Sequence, residues 1–310
     1  MSIIERAAEK IKRSEQEKKT SEVSAASMVT PENNKDAGHE NLKSTPALAG
    51  EKIQSYQDKS DAIGQPELIF KLNLQSLAQN GLIPPDGMRD MLEQEYRRIK
   101  RPLLSNITGR GAMKVSQGER IMITSSLEGE GKTFTAFNLA RSLAQEQDSE
   151  VILIDADNVR QTLTKLLGLS ERLGLLDALA PKGPSASEIV VRTDIERLFF
   201  VPNGTRTPTG PELLSGNRME QLLTKLTASR PRILIFDTTP LLGTPEAVIL
   251  SEAVGQILIV VKSGVTQRNA ITAALHPLDR KKSISFILNQ IQKSHGDPYN
   301  KYQYGYKYDA

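Results

Sequence analysis

Short apolar runs alternate with helical patterns beyond Gln117, and this alternation constrains the fold more than any other feature of the chain. Several runs are unbroken, which is typical of strands that are buried on both faces. The predicted strands cover residues 120–124, 151–155, 198–201, 233–237, 256–261 and 284–288. A helical pattern at 133–144 separates the first two. Alternating strands and helices predict an α/β fold, a doubly wound and mainly parallel sheet with helices on both faces.

Composition narrows the class of protein. A chain of 310 residues can hold one large α/β domain with extensions, or two modest domains. The formal net charge of +3 is small for this length and argues against a nucleic-acid partner. The absence of cysteine excludes disulfides and thiol chemistry. No apolar run approaches the ~20 residues that span a bilayer, and the N-terminus lacks the apolar core of a signal peptide. We therefore expect a cytoplasmic protein.

The chain divides into four parts by composition. Residues 1–13 place apolar side chains on one helical stripe, which fits either an amphipathic helix that docks on a partner or membrane, or a frayed helix that touches nothing. Residues 14–65 lack apolar periodicity, which is typical of a disordered linker. A folded domain is predicted at 66–294, with a helix at 88–101 that Pro102 ends. A tyrosine-rich tail follows at 295–310.

A phosphate-binding loop follows the first predicted strand, with the sequence TSSLEGEGKT at 124–133. It matches GxxxxGK[ST] except that Ser126 replaces the first glycine. Gly129 and Gly131 let backbone N–H groups surround a phosphate, Lys132 reaches the β and γ oxygens, and Thr133 can ligate Mg²⁺. The residues predicted to bind ATP are Ser126, Glu128, Gly129, Glu130, Gly131, Lys132, Thr133 and Phe134.

Three aspartates stand at the ends of predicted strands. Asp155 and Asp157 end the second strand, and Asp237 ends the fourth. Ligands of open α/β sheets bind at the carboxyl ends of the strands, so all three carboxylates point towards the edge that holds the phosphate loop. Each aspartate alone also fits a turn or a helix cap. Three in one such domain favour a role at a phosphate-bound metal.

The tail carries five of the seven tyrosines of the chain. A terminus of this composition is expected to be exposed, where clustered phenols add little to stability. Nucleotide and candidate phosphate acceptor therefore occur in one polypeptide. The tail tyrosines are Tyr299, Tyr302, Tyr304, Tyr306 and Tyr308.

These motifs together resemble the bacterial tyrosine kinases, which use a P-loop fold. The phosphate loop, IDAD at 154–157 and FDTTP at 236–240 look like their Walker A, A′ and B motifs. Further matches are PELL at 211–214, the tyrosine tail, and an ExxRxxR pattern formed by Glu95, Arg98 and Arg101. Four segments resemble a narrower group, the tyrosine autokinases of exosortase-linked exopolysaccharide loci. These segments are IERAA at 4–8, IKRPLL at 99–104, GKTFTA at 131–136 and VGQ at 254–256.

The resemblance implies an ATP- and Mg²⁺-dependent autokinase. Lys132 would neutralise phosphate charge. Thr133, Asp155 and Asp237 would hold or orient the metal, and Asp155 or Asp157 would accept the phenol proton. The tail would be phosphorylated in trans within a homo-oligomeric ring that has Glu95, Arg98 and Arg101 at subunit contacts. A solvated charged face is the alternative explanation for those three residues. Expected partners are a membrane polysaccharide chain-length adaptor, which would bring the protein to the inner face of the plasma membrane, and a tyrosine phosphatase.

Two alternatives stay open. A partitioning or division-site ATPase of the same superfamily would act as a switch, but such proteins carry a second lysine where this chain has Leu127. An ATP-binding scaffold for polysaccharide assembly without kinase activity is the other. The family commonly has proline where this chain has Gln161 and Thr239, and these two departures are compatible with a scaffold that lacks kinase activity.

Asn289 is a candidate for adenine recognition by its position after the last strand only, and a turn role fits it as well.

Overall fold

The computed structural model describes residues 69–84, 86–110, 114–228 and 230–291. The predictions for residues 1–13, 14–65 and 295–310, and with them all five tail tyrosines, lie outside the described residues. The predicted domain at 66–294 contains everything that is described below.

The described strands form one sheet in the order β1-β4-β5-β3-β6-β2-β7-β8. All neighbours pair in parallel except β4 and β5, so the predicted doubly wound, mainly parallel α/β fold is confirmed. The strands are β1 (Ile69–Phe70), β2 (Arg120–Ser125), β3 (Glu150–Asp155), β4 (Val191–Thr193), β5 (Leu198–Val201), β6 (Arg232–Asp237), β7 (Gln256–Lys262) and β8 (Ser283–Asn289).

The central strands are buried on both faces because consecutive residues enter opposite apolar clusters. In β2, Met122 joins the cluster on one face, while Ile121 and Ile123 join the cluster on the other. All six residues of β2 and of β6 are buried. Their unbroken apolar sequence is therefore the signature of burial on two sides, as expected for parallel strands between helical layers.

Helices connect the strands: α1 (Leu74–Gln79), α2 (Arg89–Thr108), α3 (Lys132–Leu143), α4 (Thr162–Leu166), α5 (Leu175–Leu179), α6 (Ala186–Ile189), α7 (Gly210–Leu214), α8 (Asn217–Ala228), α9 (Pro245–Glu252) and α10 (Arg268–Leu275). A 3₁₀ turn at Asp86–Met88 precedes α2. Within the described residues, no helix combines the length and the apolar character that crossing a bilayer requires.

The prediction that Pro102 ends the second helix is wrong, because α2 continues to Thr108. Proline removes one helical hydrogen bond, but Pro102 itself is exposed, so the carbonyl group that loses its donor can be hydrated. Tertiary contacts hold the next turn: Leu103 is buried, and Asn106 Nδ2 donates to Gln256 Oε1 of β7 over 2.8 Å. Packing therefore outweighs the local preference of proline.

Candidate nucleotide-binding site

The predicted site residues meet because their strands are neighbours. β6 lies between β3 and β2 in the sheet, and Asp155 of β3 stands directly opposite Asp237 of β6 in the register. The phosphate loop follows β2 at the same edge. A pocket of about 420 Å³ opens there. Its lining consists of Glu128, Gly129, Gly131, Lys132, Thr133, Phe134, Asp157, Val159, Arg160, Thr162, Thr239, Pro240, Gly243 and Thr244.

Glycine is required at two points of the phosphate loop. Gly129 and Gly131 have φ angles of +75° and +97°, in the left-handed region that side chains disfavour. A Cβ atom on Gly131 would also lie 2.0 Å from Nδ2 of Asn289. Helix α3 begins at Lys132, so its N-terminal N–H groups and the positive end of its dipole meet the pocket. These features suit a phosphate.

Two of the residues predicted to bind ATP do not line the pocket. Glu130 is buried, and its carboxylate accepts hydrogen bonds from the N–H of Leu127, over 2.8 Å, and from the hydroxyl of Thr266. The side chain of Ser126 is also buried, and its hydroxyl has no partner within the described residues. Turning the Glu130 carboxylate away from the pocket avoids repulsion between it and bound phosphates.

Two amide side chains at the end of β8 brace the phosphate loop. Asn289 Nδ2 donates to the carbonyl of Glu130 over 2.9 Å, and Gln290 Nε2 donates to the carbonyl of Gly129 over 3.0 Å. The position of Asn289 makes it a candidate for adenine recognition, but its amide nitrogen is hydrogen-bonded to the phosphate loop. Sequence reasoning missed Gln290 and Thr266, since both belong to elements distant in the chain and match no motif.

Asp155 is fully buried and lies behind the pocket. Its Oδ2 accepts hydrogen bonds from the N–H and the hydroxyl of Thr164, both over 2.8 Å, and its Oδ1 accepts one from the N–H of Asp157 over 3.1 Å. Burial raises the pKa of Asp155 to about 6, although the Thr164 hydrogen bonds oppose this rise. Both oxygens of Asp155 therefore hold the loop that follows β3.

Asp157, by contrast, lines the pocket. Its Oδ1 accepts hydrogen bonds from the N–H groups of Val159, over 3.1 Å, and Arg160, over 2.9 Å, which closes a tight turn. Its Oδ2 makes no further hydrogen bond to the described part of the protein. Of the two aspartates at the end of β3, Asp157 is the one whose free oxygen is available to a ligand.

Asp237 is as buried as Asp155, yet neither of its carboxylate oxygens has a hydrogen-bond partner of normal geometry within the described residues. Burial, reinforced by the charge of Asp155, raises the pKa of Asp237 well above its ordinary value. The charge of the Lys132 ammonium and the Thr133 hydroxyl lower this pKa and so oppose the rise.

The surroundings of Asp237 fit a magnesium ion. Two unpartnered carboxylate oxygens beside the Thr133 hydroxyl are hard oxygen donors, which Mg²⁺ prefers. No group of three or more acidic, histidine or cysteine side chains within the described residues is arranged to hold a metal ion. Mg²⁺ in nucleotide sites typically uses one or two carboxylates together with substrate phosphates and water.

The loop after β3 has a conformation that explains one departure from the family pattern. Gln161, where the family commonly has proline, has φ +52°, which a proline ring fixed near −65° cannot adopt. Gln161 Nε2 donates to Asn203 Oδ1 over 2.8 Å, and Asn203 Nδ2 donates to the carbonyl of Asp155 over 3.1 Å. Asn203 is a positioning residue that no sequence motif indicated.

The other departure, Thr239, lines the pocket. Its hydroxyl accepts a hydrogen bond from the Thr244 hydroxyl over 2.7 Å, and its carbonyl accepts one from Thr124 over 2.9 Å. These bonds tie the segment after β6 to α9 and to β2. Neither departure removes a charged group from the pocket.

The ExxRxxR residues lie away from the pocket on the outer side of α2. Arg98 and Arg101 are exposed, Glu95 is half-buried, and Arg98 Nη1 lies 3.6 Å from Glu95 Oε1. The opposite side of α2 buries Tyr96, Lys100 and Leu103 against the domain. The three motif residues therefore share an accessible surface.

Comparisons with known proteins agree with this geometry. Residues 121–302 match the family described as the CobQ/CobB/MinD/ParA nucleotide binding domain. The tyrosine-protein kinase YwqD of Bacillus subtilis is 30% identical over 237 residues, which are 76% of this chain and 96% of that protein. The chain belongs to the bacterial tyrosine kinase family.

Other members of that family are similar over part of their length. The tyrosine-protein kinase wzc of Salmonella typhi is 32% identical over 203 residues, which are 64% of this chain but only 28% of that protein. Among solved structures, the BceF tyrosine kinase domain superposes with a TM-score of 0.56 at 25% identity and covers 69% of this chain and 86% of that one.

Proposed function

We propose that the protein, a protein-tyrosine kinase by family, uses Mg·ATP to phosphorylate its own C-terminal tyrosines and so regulates exopolysaccharide synthesis or export. One observation carries this proposal: Lys132, Thr133 and Asp157 line one pocket, and Asp237 ends the strand that lies between the two strands leading to them. This is the set of groups that phosphoryl transfer from a nucleotide requires.

Each residue has a part in the proposed reaction. The Lys132 ammonium attracts the β and γ oxygens, and the phosphate loop places its N–H groups around them. Thr133 and Asp237 would hold Mg²⁺, which when bound neutralises negative charge on the phosphates. Asp155 would orient this shell from behind the pocket, since its oxygens fix the loop that bears Asp157.

Asp157 is the better candidate to accept the phenol proton, because it lines the pocket and keeps one oxygen free. A tyrosine with a pKa of ~10 needs such help at neutral pH. The transition state of phosphoryl transfer is loose, however, so positioning and charge neutralisation contribute more than the base.

The acceptors would be Tyr299, Tyr302, Tyr304, Tyr306 and Tyr308, phosphorylated in trans within a ring. The exposure of Arg98 and Arg101 on α2, beside the half-buried Glu95, supports the subunit contact. Each phosphate adds a charge of about −1.5 to −2. Repulsion among several of them would release the tail or dissolve the ring.

The proposal places the protein at the inner face of the plasma membrane through a polysaccharide chain-length adaptor. A tyrosine phosphatase and an exosortase-linked locus complete the proposed setting. Support comes from the segments at 4–8, 99–104, 131–136 and 254–256, which resemble the autokinases of exosortase-linked exopolysaccharide loci. Full activity of the protein alone, without membrane association in cells that express its locus, would contradict this part.

Mapping of phosphotyrosine by mass spectrometry tests the function. Purified protein is incubated with Mg·ATP, and wild type is compared with Lys132→Met and with a chain that ends at Ser294. We expect phosphate on the tail of wild type only. ATP hydrolysis without tail phosphate would favour a switch ATPase, and neither activity would favour the scaffold.

A further inference from the structure

Two oppositely charged side chains meet across the mouth of the pocket. Glu128 belongs to the phosphate loop after β2, and Arg160 belongs to the loop after β3. Arg160 Nη2 donates a hydrogen bond to Glu128 Oε2, and both residues line the pocket. Their side chains are 58% and 61% exposed, respectively. The pair therefore joins the two walls between which a nucleotide phosphate would enter.

The main chain on both sides of this ion pair is anchored. The N–H of Arg160 is bound to Asp157 Oδ1, and its carbonyl accepts a hydrogen bond from Lys165 Nζ. The two neighbours of Glu128 are held as well, Leu127 through its N–H by Glu130 and Gly129 through its carbonyl by Gln290. Only the two side chains are free to change partner, while the loops that bear them stay in place.

A phosphate is a stronger partner for Arg160 than Glu128 is. An exposed ion pair contributes little to stability, because water screens it and two long side chains must be ordered. A guanidinium that binds phosphate oxygens forms paired, charge-assisted hydrogen bonds to a group of higher charge. A nucleotide in the pocket and the Glu128 carboxylate thus compete for the same cation.

We propose that Glu128 and Arg160 form a latch on the nucleotide site, in which Arg160 leaves Glu128 to bind the terminal phosphate. Arg160 is then a binding residue that favours a nucleoside triphosphate over a diphosphate, and Glu128 weakens nucleotide binding by holding Arg160. This inference rests on the proposed function, since it requires that the pocket binds Mg·ATP.

A double-mutant cycle measured by calorimetry tests the latch. The full chain and its variants Glu128→Gln, Arg160→Gln and the double variant are titrated with a non-hydrolysable ATP analogue and with ADP, each with Mg²⁺. We expect Glu128→Gln to tighten binding of the analogue by about twofold to fivefold. Arg160→Gln should weaken it by about tenfold or more, and should weaken ADP binding less. In the Arg160→Gln background, Glu128→Gln should have no effect.

A second ion pair supplies the control, and three results would overturn the latch. Glu93→Gln breaks another exposed ion pair, with Arg97 on α2, and should leave binding unchanged. If Glu128→Gln tightens binding equally with and without Arg160, the effect is general charge repulsion and the latch is overturned. Unchanged binding in Glu128→Gln overturns it too. If wild type binds neither nucleotide, the proposed function fails and the latch with it, whereas binding without coupling overturns the latch alone.

Discussion

The ends of β3 and β6 carry two aspartates that the sequence presents as equivalent, yet the structure gives them opposite surroundings. Asp155 and Asp237 each end a buried apolar strand, face each other in the register and are almost completely buried. Asp155 accepts three hydrogen bonds, whereas neither oxygen of Asp237 has a partner of normal geometry within the described residues.

From this difference we infer that Asp155 is a structural carboxylate and Asp237 a chemical one. A buried charge that is not hydrogen-bonded destabilises a fold, so it persists where function requires it. Asp155 organises the loop that presents Asp157 and Arg160 to the pocket. Asp237 keeps both oxygens without a partner of normal geometry, and Lys132 and Thr133 both act on its pKa.

The largest effect is expected from Asp237→Asn. The amide keeps the shape of the side chain but loses the charge that would hold Mg²⁺, so the rate of tail phosphorylation should fall by about 10²–10³-fold. The free energy of unfolding should not fall, because an unpartnered buried carboxylate is removed. Single-turnover phosphorylation and urea unfolding measure the two quantities, and a near-normal rate would show that Asp237 is not the chemical carboxylate.

The matched variant Asp155→Asn should behave in the opposite way. The amide keeps one oxygen acceptor, so its NH₂ group would face the donors of either Thr164 or Asp157, which costs about 1–3 kcal/mol of unfolding free energy. Phosphorylation, measured on the fraction that is folded, should fall much less than in Asp237→Asn. Equal losses of activity in both variants would remove the distinction between the two strand ends.

Gln161→Pro should have the next largest effect, and it should lower the stability of the domain. Proline cannot adopt φ +52°, and it removes the N–H that donates to the carbonyl of Asp157 over 2.8 Å. We expect a loss of about 1–3 kcal/mol of unfolding free energy by urea denaturation. Gln161→Gly is the control, since it also loses the side-chain amide but keeps the backbone conformation. A proline variant as stable as the glycine variant would contradict the prediction.

Stability should depend on pH through Asp155. Its pKa rises from 3.8 to about 6 on folding, so the folded state retains a proton that the unfolded state releases. The contribution of this group is fully present below pH 3.8 and is lost as the pH rises through about 6. The unfolding free energy of wild type minus that of Asp155→Asn should therefore fall over this range and then level off. A difference that increases with pH would contradict the assignment.

The smallest effect is expected from Asn289→Ala. The variant removes one hydrogen bond to the carbonyl of Glu130, which is worth about 0.5–1.5 kcal/mol. The phosphate loop keeps its second brace from Gln290, so nucleotide binding should weaken by only a few fold. Calorimetry with Mg·ADP measures this change. Complete loss of binding would mean that Asn289 contacts the nucleotide itself.

The sequence predicted the sheet well, because strands buried on both faces are unbroken apolar runs. It also predicted that the aspartates at two strand ends lie at the sheet edge that holds the phosphate loop, as they do. Strands β1 and β4 were missed, since runs of two and three residues have no periodicity to detect. The end of α2 was predicted wrongly because Pro102 has a strong local signal, while the contacts that continue the helix come from β7.

The roles of single side chains within the site depended on distant partners. Glu130 stands in the phosphate loop, but Thr266, far along the chain, helps to turn it away from the pocket. The structural role inferred for Asp155 depends on its hydrogen bonds with Thr164 and Asn203, and neither of these residues belongs to a motif. Sequence spacing identified the sheet edge at which these residues meet, whereas the role of each side chain followed from its hydrogen bonds.

Calorimetry of ADP binding with and without Mg²⁺ tests the distinction between the two strand ends most directly. We predict that Mg²⁺ strengthens ADP binding to wild type and to Asp155→Asn alike, and has no such effect on Asp237→Asn. If Asp155→Asn loses the response to Mg²⁺ while Asp237→Asn keeps it, the chemical carboxylate is Asp155, and the assignment made from the hydrogen bonds is wrong.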